Sequence, residues 1–145
     1  MLQIRYSPGQ HAPGAHPAGG VWSPGEVDIC GSVGDLRRIK ERVISFLQSN
    51  ETVLAIGDTD SIFDPHPYQR AIPAMEIHKT FGPTKVSTDG RSVLRVEGAA
   101  ENILRFMSWF DVPENSYSGW HRHFDCLDES PHVAKDCLDV VVGVR

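Results

Sequence analysis

The chain has 145 residues, of which 40% are hydrophobic and 23% are charged, and its formal net charge is −5. This length and composition are typical of one globular domain, and the negative charge argues against a nucleic-acid partner, which usually selects a basic surface. No apolar run approaches the roughly 20 residues that span a bilayer, and the first residues lack the apolar segment of a signal peptide. We therefore expect a soluble, cytoplasmic protein with no membrane partner.

The first 25 residues predict a short strand followed by an irregular arm. Leu2, Ile4 and Tyr6 alternate with polar residues, as in a half-buried strand. Nearly half of residues 7–25 are Gly or Pro, a composition that supports neither a strand nor a helix. We expect this N-terminal strand and arm to precede a single α+β domain at 26–145.

A strand, a helix and three further strands are predicted next. Residues 27–30 are apolar and strand-like, and Ser32 with Asp35 forms a weak helix-capping pattern. The buried stripe of the helix is predicted at Leu36, Ile39, Val43 and Leu47. The further strands are predicted at 52–56, 74–81 and 85–87. Residues 89–90, Asp-Gly, favour a hairpin turn after them.

A second segment follows with the same order of elements. Residues 92–98 predict a strand that ends at Gly98, and a helix is expected from 99 to 110, before Pro113. In both copies a glycine closes the strand and an aliphatic residue follows five positions later. Predicted strands at 121–125, 132–133 and 137–144 complete the second copy.

This repetition predicts two β-α-β-β-β units, at 27–97 and 92–144, that share a central strand. We expect an α+β fold with a single, mostly antiparallel sheet and two helices on one face. Aligned by pattern, His78 matches His123. A partner would then bind the acidic loops or the opposite face of the sheet, where we expect His78, His121, His123 and Asp125 to line up.

The three cysteines are Cys30, Cys126 and Cys137, which are widely spaced in strand-like contexts. We interpret them as buried reduced thiols, with a disulfide or a metal site as the alternatives.

Motifs for phosphate loops, nucleophile elbows and zinc proteases are missing. The sequence therefore favours a non-enzymatic protein, although catalytic groups can also converge from distant positions.

His121 and His123 form the closest histidine pair. On a strand, positions two apart point to the same face, so both imidazoles can reach one ion, and Asp125 continues that face. Two histidines and one carboxylate are a ligand combination for iron or zinc. The first and third positions are about 13 Å apart on a straight strand, so another ligand would have to come from elsewhere. The alternative is a solvent-facing polar surface without a metal.

Trp109 lies at the edge of the apolar stripe of the second helix. A half-exposed Trp can anchor a protein partner, or it can cover the edge of the core. From residue 111 onward the chain also carries seven acidic residues against three basic ones. An acidic surface speeds docking onto a basic protein such as a nuclease, and otherwise it maintains solubility.

Over about residues 93–144, a strand, a glycine, a helix, an H-x-H-x-D strand and a terminal aliphatic strand follow one another. In this order the chain resembles a small immunity-protein family of bacterial polymorphic toxin systems. The positions that carry the resemblance are Gly98, Ile103, His121, His123, Asp125 and 138–142. The resemblance implies a non-enzymatic protein that neutralises a cognate toxin by direct binding and uses no cofactor.

We therefore expect a protein partner, a toxin, and the sequence leaves the oligomeric state open. The candidate partner-binding residues are His78, Trp109, His121, His123, Asp125, Asp128 and Glu129. The alternative hypothesis is a metal-binding protein or a metal-dependent enzyme in which His121 and His123 hold zinc or iron.

Overall fold

The computed structural model describes residues 1–11, 22–23, 25–57, 59, 62–124 and 131–145. In chain order, its elements are β1 (Gln3–Ser7), β2 (Gln10–His11), β3 (Trp22–Ser23), β4 (Glu26–Gly31), α1 (Val33–Leu47), β5 (Val53–Ile56), β6 (Arg70–Ala71), β7 (Ala74–Lys79), β8 (Lys85–Thr88), β9 (Val93–Gly98), α2 (Ala100–Met107), a short 3₁₀ helix (Ser108–Phe110), β10 (His121–Phe124) and β11 (Asp139–Val144). Most of the predicted Gly/Pro-rich arm, at 12–21 and 24, lies outside the described residues.

The strands form two main sheets instead of the single predicted sheet. The five-stranded sheet has the order β10-β11-β4-β1-β6, the four-stranded sheet has the order β5-β7-β9-β8, and β2 pairs with β3 alone. Each main sheet contains one parallel pair, and its other pairs are antiparallel. The predicted α+β class is confirmed, whereas the prediction of one sheet with two helices on its face is wrong in the number of sheets.

Strand pairing explains why there are two sheets. β4 pairs with β11 on one edge and with β1 on the other, while β9 pairs with β7 and β8. A strand has only two edges for hydrogen bonding, so β4 and β9 cannot pair with each other, and no other described strand pairs across the two groups. The N-terminal strand, to which the sequence assigned no neighbour, takes the second edge of β4.

Both sheets repeat one arrangement of four strands. In each, the strand before a helix lies between a parallel neighbour and an antiparallel neighbour, and the parallel neighbour also pairs with an edge strand. The parallel neighbours are β7 and β11. Their registers are equivalent, because Lys79 lies beside Gly98 as Val144 lies beside Gly31.

This equivalence changes the residue correspondence between the two units. His78 of β7 corresponds to Gly143 of β11, because each lies one position before the residue that faces the closing glycine. The predicted match of His78 with His123 is therefore wrong. The unit boundaries 27–97 and 92–144 stay predictions, because β1 precedes both units and yet completes the first sheet.

Capping interactions in the sequence determine where α1 begins. The Ser32 hydroxyl accepts a hydrogen bond from the Asp35 amide at 3.1 Å, and the Asp35 carboxylate accepts one from the Ser32 amide at 3.0 Å. The predicted capping pattern is thus present as a reciprocal capping box. The helix buries one stripe, which ends at Phe46, while Leu47 is half-buried against the core.

The helices connect the two sheets. α1 leads from β4 in the five-stranded sheet to β5 in the four-stranded sheet, and α2 with the 3₁₀ helix leads from β9 back to β10. Each helix packs on the strand before it, and the two helices contact each other. The inner faces of both sheets therefore contribute to one apolar core, with Ile4, Val27, Ile29 and Val142 from the first and Met75, Ile77, Leu94 and Val96 from the second.

Candidate functional site

Strand alternation gives the five-stranded sheet an apolar inner face and a polar outer face. Successive side chains of a strand point to opposite faces, and Val27 and Ile29 of β4 point into the core. Asp28 and Cys30, which alternate with them, point outward, and so do the residues beside them on the neighbouring strands. These outward positions are His121 and His123 on β10, Val141 and Gly143 on β11, Asp28 and Cys30 on β4, and Arg5 on β1.

The outward side chains surround a groove of about 320 Å³, which we call the outer groove. Besides the seven positions above, it is lined by Glu26, Tyr68, Trp120 and Arg145 among others. Gly143 opens it. In register, this glycine lies between His121 and Cys30, and an added Cβ would come within 3.3 Å of the Trp120 carbonyl oxygen. The absence of a side chain at this position therefore leaves space between β10 and β4.

A polar cluster occupies the β1 side of the outer groove. Arg5 donates to one carboxylate oxygen of Asp28 from Nε at 2.7 Å and also from Nη2. The Arg5 guanidinium lies 4.9 Å from the centre of the Tyr68 ring, and the Tyr68 hydroxyl donates to the Glu26 carboxylate at 2.5 Å. The Asp28 side chain is only 6% exposed. Breaking the ion pair would leave a nearly buried charge without a partner, which is energetically unfavourable, so the two side chains stay paired.

Burial sets the protonation of this cluster. It is the main cause that raises the pKa of the Cys30 thiol to about 11, and the Asp28 carboxylate adds to the effect. Burial, followed by the hydrogen bond to Glu26, also raises the pKa of Tyr68. For Arg5, burial lowers the pKa, but the hydrogen bond and charge of Asp28 outweigh it, and the pKa is raised. At neutral pH, Cys30 is therefore a protonated thiol and not a reactive thiolate.

His121 and His123 form the opposite wall of the outer groove. Both are exposed, and their ring centres are 5.1 Å apart with the planes at 76°. The Nδ1 atom of His121 lies 2.9 Å from the Gly119 carbonyl oxygen. Since a carbonyl can only accept, Nδ1 carries the proton and donates this bond. The sequence prediction that these two imidazoles share one face is confirmed.

His78 lies elsewhere. It belongs to β7 of the four-stranded sheet, and its Nε2 atom lies 2.8 Å from a carboxylate oxygen of Glu76. The predicted alignment of His78 with His121 and His123 on one sheet face is therefore wrong, because the two strands belong to different sheets.

Trp109 contacts the neighbouring strand. Its indole nitrogen donates to the His123 carbonyl oxygen at 2.5 Å, and its ring packs edge-on against Phe124 with centres 5.1 Å apart. These contacts correspond to the alternative in which Trp109 covers the edge of the core. Its predicted role as a partner anchor stays a prediction.

The acidic candidates divide into two groups. Asp125, Asp128 and Glu129 lie outside the described residues. Among the described residues, three acidic side chains after position 110 are already in ion pairs: Asp111 with Lys40, Glu114 with Arg37, and Asp136 with Lys85. These pairs neutralise part of the predicted acidic surface.

Two of the three cysteines lie among the described residues. Cys30 and Cys137 are free and buried, as predicted, and Cys126 lies outside the described residues. Within the part of the chain that the structure describes, no three His, Cys, Asp or Glu side chains are grouped so that they could hold one metal ion.

Sequence reasoning missed Arg5, Asp28, Tyr68 and Trp120. One signal was present: Asp28 interrupts an otherwise apolar strand, and a charge at such a position requires a counter-charge. The partner is 23 residues away in β1, and the sequence pattern did not indicate that β1 pairs with β4.

A larger concavity, of about 510 Å³, lies between α1 and residues 110–113. The charged side chains at its rim, Lys40 and Arg37, are bound to Asp111 and Glu114. The described lining of this concavity contains no Trp, Tyr or His side chain, so we consider the outer groove the better candidate site.

Fold and site together define a small α+β protein with an open groove of aromatic, histidine and arginine side chains on one sheet. None of its described helices is both long and apolar enough to cross a membrane. Comparison of the chain with protein-family models, with curated proteins and with solved structures finds no match. Its function is therefore inferred from the groove and from the sequence pattern of the second unit.

Proposed function

We propose that this chain is a non-enzymatic binding protein, an immunity protein that neutralises a cognate bacterial toxin by direct binding in the cytoplasm. The observation that carries the proposal is the outer groove, whose walls include Arg5, Tyr68, Trp120, His121 and His123. The resemblance of the second unit to small immunity proteins supports a toxin as the partner.

The residue types of the groove favour a protein partner. Trp, Tyr and Arg are enriched in protein interfaces and contribute most of the binding energy there. Tyr117 adds an aromatic side chain that is 73% exposed, and its carbonyl oxygen accepts a hydrogen bond from the Trp120 amide at 3.0 Å. A turn of this kind presents two aromatic rings close together in the chain.

The groove is also preorganised. Arg5 is held by Asp28, and Tyr68 is held by Glu26, so a partner would bind side chains whose positions are already fixed. Association then costs less conformational entropy than it would with mobile side chains. In the sequence, Asp125, Asp128 and Glu129 follow β10, and we propose that they add electrostatic steering toward a basic toxin.

The proposal predicts that a gene beside that of this chain encodes the toxin, and the test uses the protein that this gene encodes. Co-expression of the full chain with the toxin domain is expected to restore growth, and the two purified proteins are expected to bind. Tyr68→Ala and Trp120→Ala should each weaken binding about tenfold or more, because truncating an interface hot spot costs about 2 kcal/mol or more. Binding is measured by calorimetry in the presence of a chelator, which removes any contribution of metal ions.

Arg95→Ala is the matched control, because Arg95 is exposed on β9 of the other sheet. It should bind the toxin like the unaltered chain, and circular dichroism should show that every variant is folded. The proposal would be abandoned if the neighbouring gene encodes no toxin that the chain neutralises, or if folded groove variants bind as tightly as the control.

A further inference from the structure

The exposed histidine wall of the outer groove has a geometry that suits a metal ion. An imidazole ring centre lies about 3.2 Å from a zinc ion bound through one of its nitrogens, so two imidazoles on one tetrahedral zinc have ring centres about 5 Å apart. The observed separation of the His121 and His123 ring centres is 5.1 Å. Rotation of the His123 side chain can therefore bring one of its nitrogens toward an ion bound by His121 without a change in the backbone of β10.

The hydrogen bond of His121 adds a second, independent observation. Histidines that bind metals usually donate their other ring N–H to a backbone carbonyl or a carboxylate, which fixes the tautomer and the ring orientation. The Nδ1 atom of His121 makes such a bond to the Gly119 carbonyl oxygen at 2.9 Å. The Nε2 atom then carries the lone pair, and it is the atom that binds an ion.

Other polar side chains of the groove are less suited to the ion. Asp28 is bound to Arg5 and is almost fully buried. Among the described residues, neither Cys30 nor any other Cys, His, Asp or Glu side chain is grouped with the two histidines so that it could be a third ligand. The ion would therefore have two protein ligands, and its remaining positions would be open.

We propose that His121 and His123 bind one divalent ion of the zinc class at the edge of the five-stranded sheet, with two coordination positions left to water. Imidazole ligands suit zinc, copper and nickel and not magnesium or calcium. The proposal does not depend on the toxin-binding function. It rests on the separation of the His121 and His123 rings and on the hydrogen bond to the Gly119 carbonyl oxygen.

The test is calorimetric titration of the full chain with Zn²⁺ alone at pH 7.5. We expect one equivalent to bind, with an affinity that falls at least tenfold in His121→Ala and in His123→Ala. His78→Ala is the matched control, because His78 lies on the other sheet, and its affinity should equal that of the unaltered chain. Nitrogen NMR of the imidazoles should show that Zn²⁺ shifts Nε2 of His121 while Nδ1 keeps its proton.

Two results would overturn the proposal. The first is an absence of Zn²⁺ binding by the folded chain. The second is Zn²⁺ binding that persists unchanged in both His121→Ala and His123→Ala, which would assign the ion to other residues. Circular dichroism and NMR of the metal-free variants establish that they are folded, so loss of binding in them is loss of the ligands.

Discussion

Arg5 and Asp28 show, at the scale of single residues, how charge is accommodated in a largely buried strand. Asp28 lies between Val27 and Ile29, both fully buried, and its carboxylate is bonded twice by the Arg5 guanidinium from the neighbouring strand. The pair holds β1 in register on β4, since any slip by one residue would turn Arg5 toward the core.

Asp28→Asn preserves the size of the side chain but removes the charge that neutralises Arg5. We expect the free energy of unfolding to fall by about 2 kcal/mol, because a charged hydrogen bond is lost in a largely buried position. Urea denaturation would measure this loss. The slope of the unfolding free energy against urea concentration should be the same in the variant and in the unaltered chain.

Asp136→Asn is the matched control, because the Asp136–Lys85 pair is exposed, with side chains 68% and 36% accessible. An exposed pair contributes less than about 1 kcal/mol. Equal losses in the two variants would contradict the structural importance that we assign to the Arg5–Asp28 pair.

At the scale of elements, the two helices begin in different ways. α1 begins with the reciprocal hydrogen bonds of Ser32 and Asp35, whereas the N-cap residue of α2 is Ala99, whose side chain cannot accept a capping hydrogen bond. The hydrogen bond from the Ser32 hydroxyl is the main cause that lowers the pKa of Asp35 below its ordinary value of 3.8. The cap of α1 is therefore sensitive to acid.

Asp35→Asn is expected to destabilise the chain by about 1 kcal/mol at neutral pH, as the loss of a helix cap does. Because the folded pKa of Asp35 is lowered, its stabilisation is present above pH 3.8 and is lost as the pH falls through the folded value. The difference in the free energy of unfolding between the variant and the unaltered chain should therefore become smaller at acidic pH. Thermal denaturation at several pH values would measure it.

Glu101→Gln is the control for this experiment, because Glu101 lies in the first turn of α2, which has no side-chain cap. Its effect at neutral pH should be only a few tenths of a kcal/mol, the size expected for a helix-dipole interaction at an exposed site. An Asp35→Asn effect that stays constant down to pH 2 would contradict the linkage to Asp35.

The sheet edges show a common form of protection. On β10, the outward His123 carbonyl is bonded by Trp109 from the 3₁₀ helix after α2. On β5, the edge strand of the other sheet, the Ala55 carbonyl lies 3.4 Å from an Arg42 nitrogen of α1. A carbonyl that is bonded in this way is not available for pairing with a strand of another chain.

Local sequence patterns predicted the two helices and most strands, because periodicity and capping depend on neighbouring residues. They did not predict how many sheets the strands form, since the pairing of β4 with β1 and β11 depends on contacts between distant parts of the chain. The candidate site was likewise predicted only in part. The pair His121 and His123 follows from alternation along one strand, whereas Arg5 and Tyr68 join it only through the pairing of strands.

At the scale of the whole molecule, both described thiols contribute to the dependence of stability on alkaline pH. Burial raises the pKa of Cys30 and of Cys137 from 9.0 to about 11. The folded chain therefore favours the neutral thiols. Their stabilisation is complete below pH 9 and is lost as the pH rises toward 11.

We expect the melting temperature to decrease between pH 9 and pH 11, and we expect the decrease to be smaller in the double variant Cys30→Ala, Cys137→Ala. At pH 8 a thiol reagent should react with the two cysteines only after denaturation, which a Cys126→Ser background would show without interference. Rapid reaction of the folded chain would contradict the burial of both thiols.

Each helix leads the chain from one sheet to the other. Each main sheet therefore contains strands from both halves of the molecule. β10 and β11 from the second half join β1 and β4 from the first, and β9 joins β5, β7 and β8. The halves are thus interlocked in the way that two identical chains are when they exchange strands in a swapped dimer. Here both partners of the exchange belong to one polypeptide, so the interface between them forms at an effective concentration set by the chain itself and cannot be diluted away.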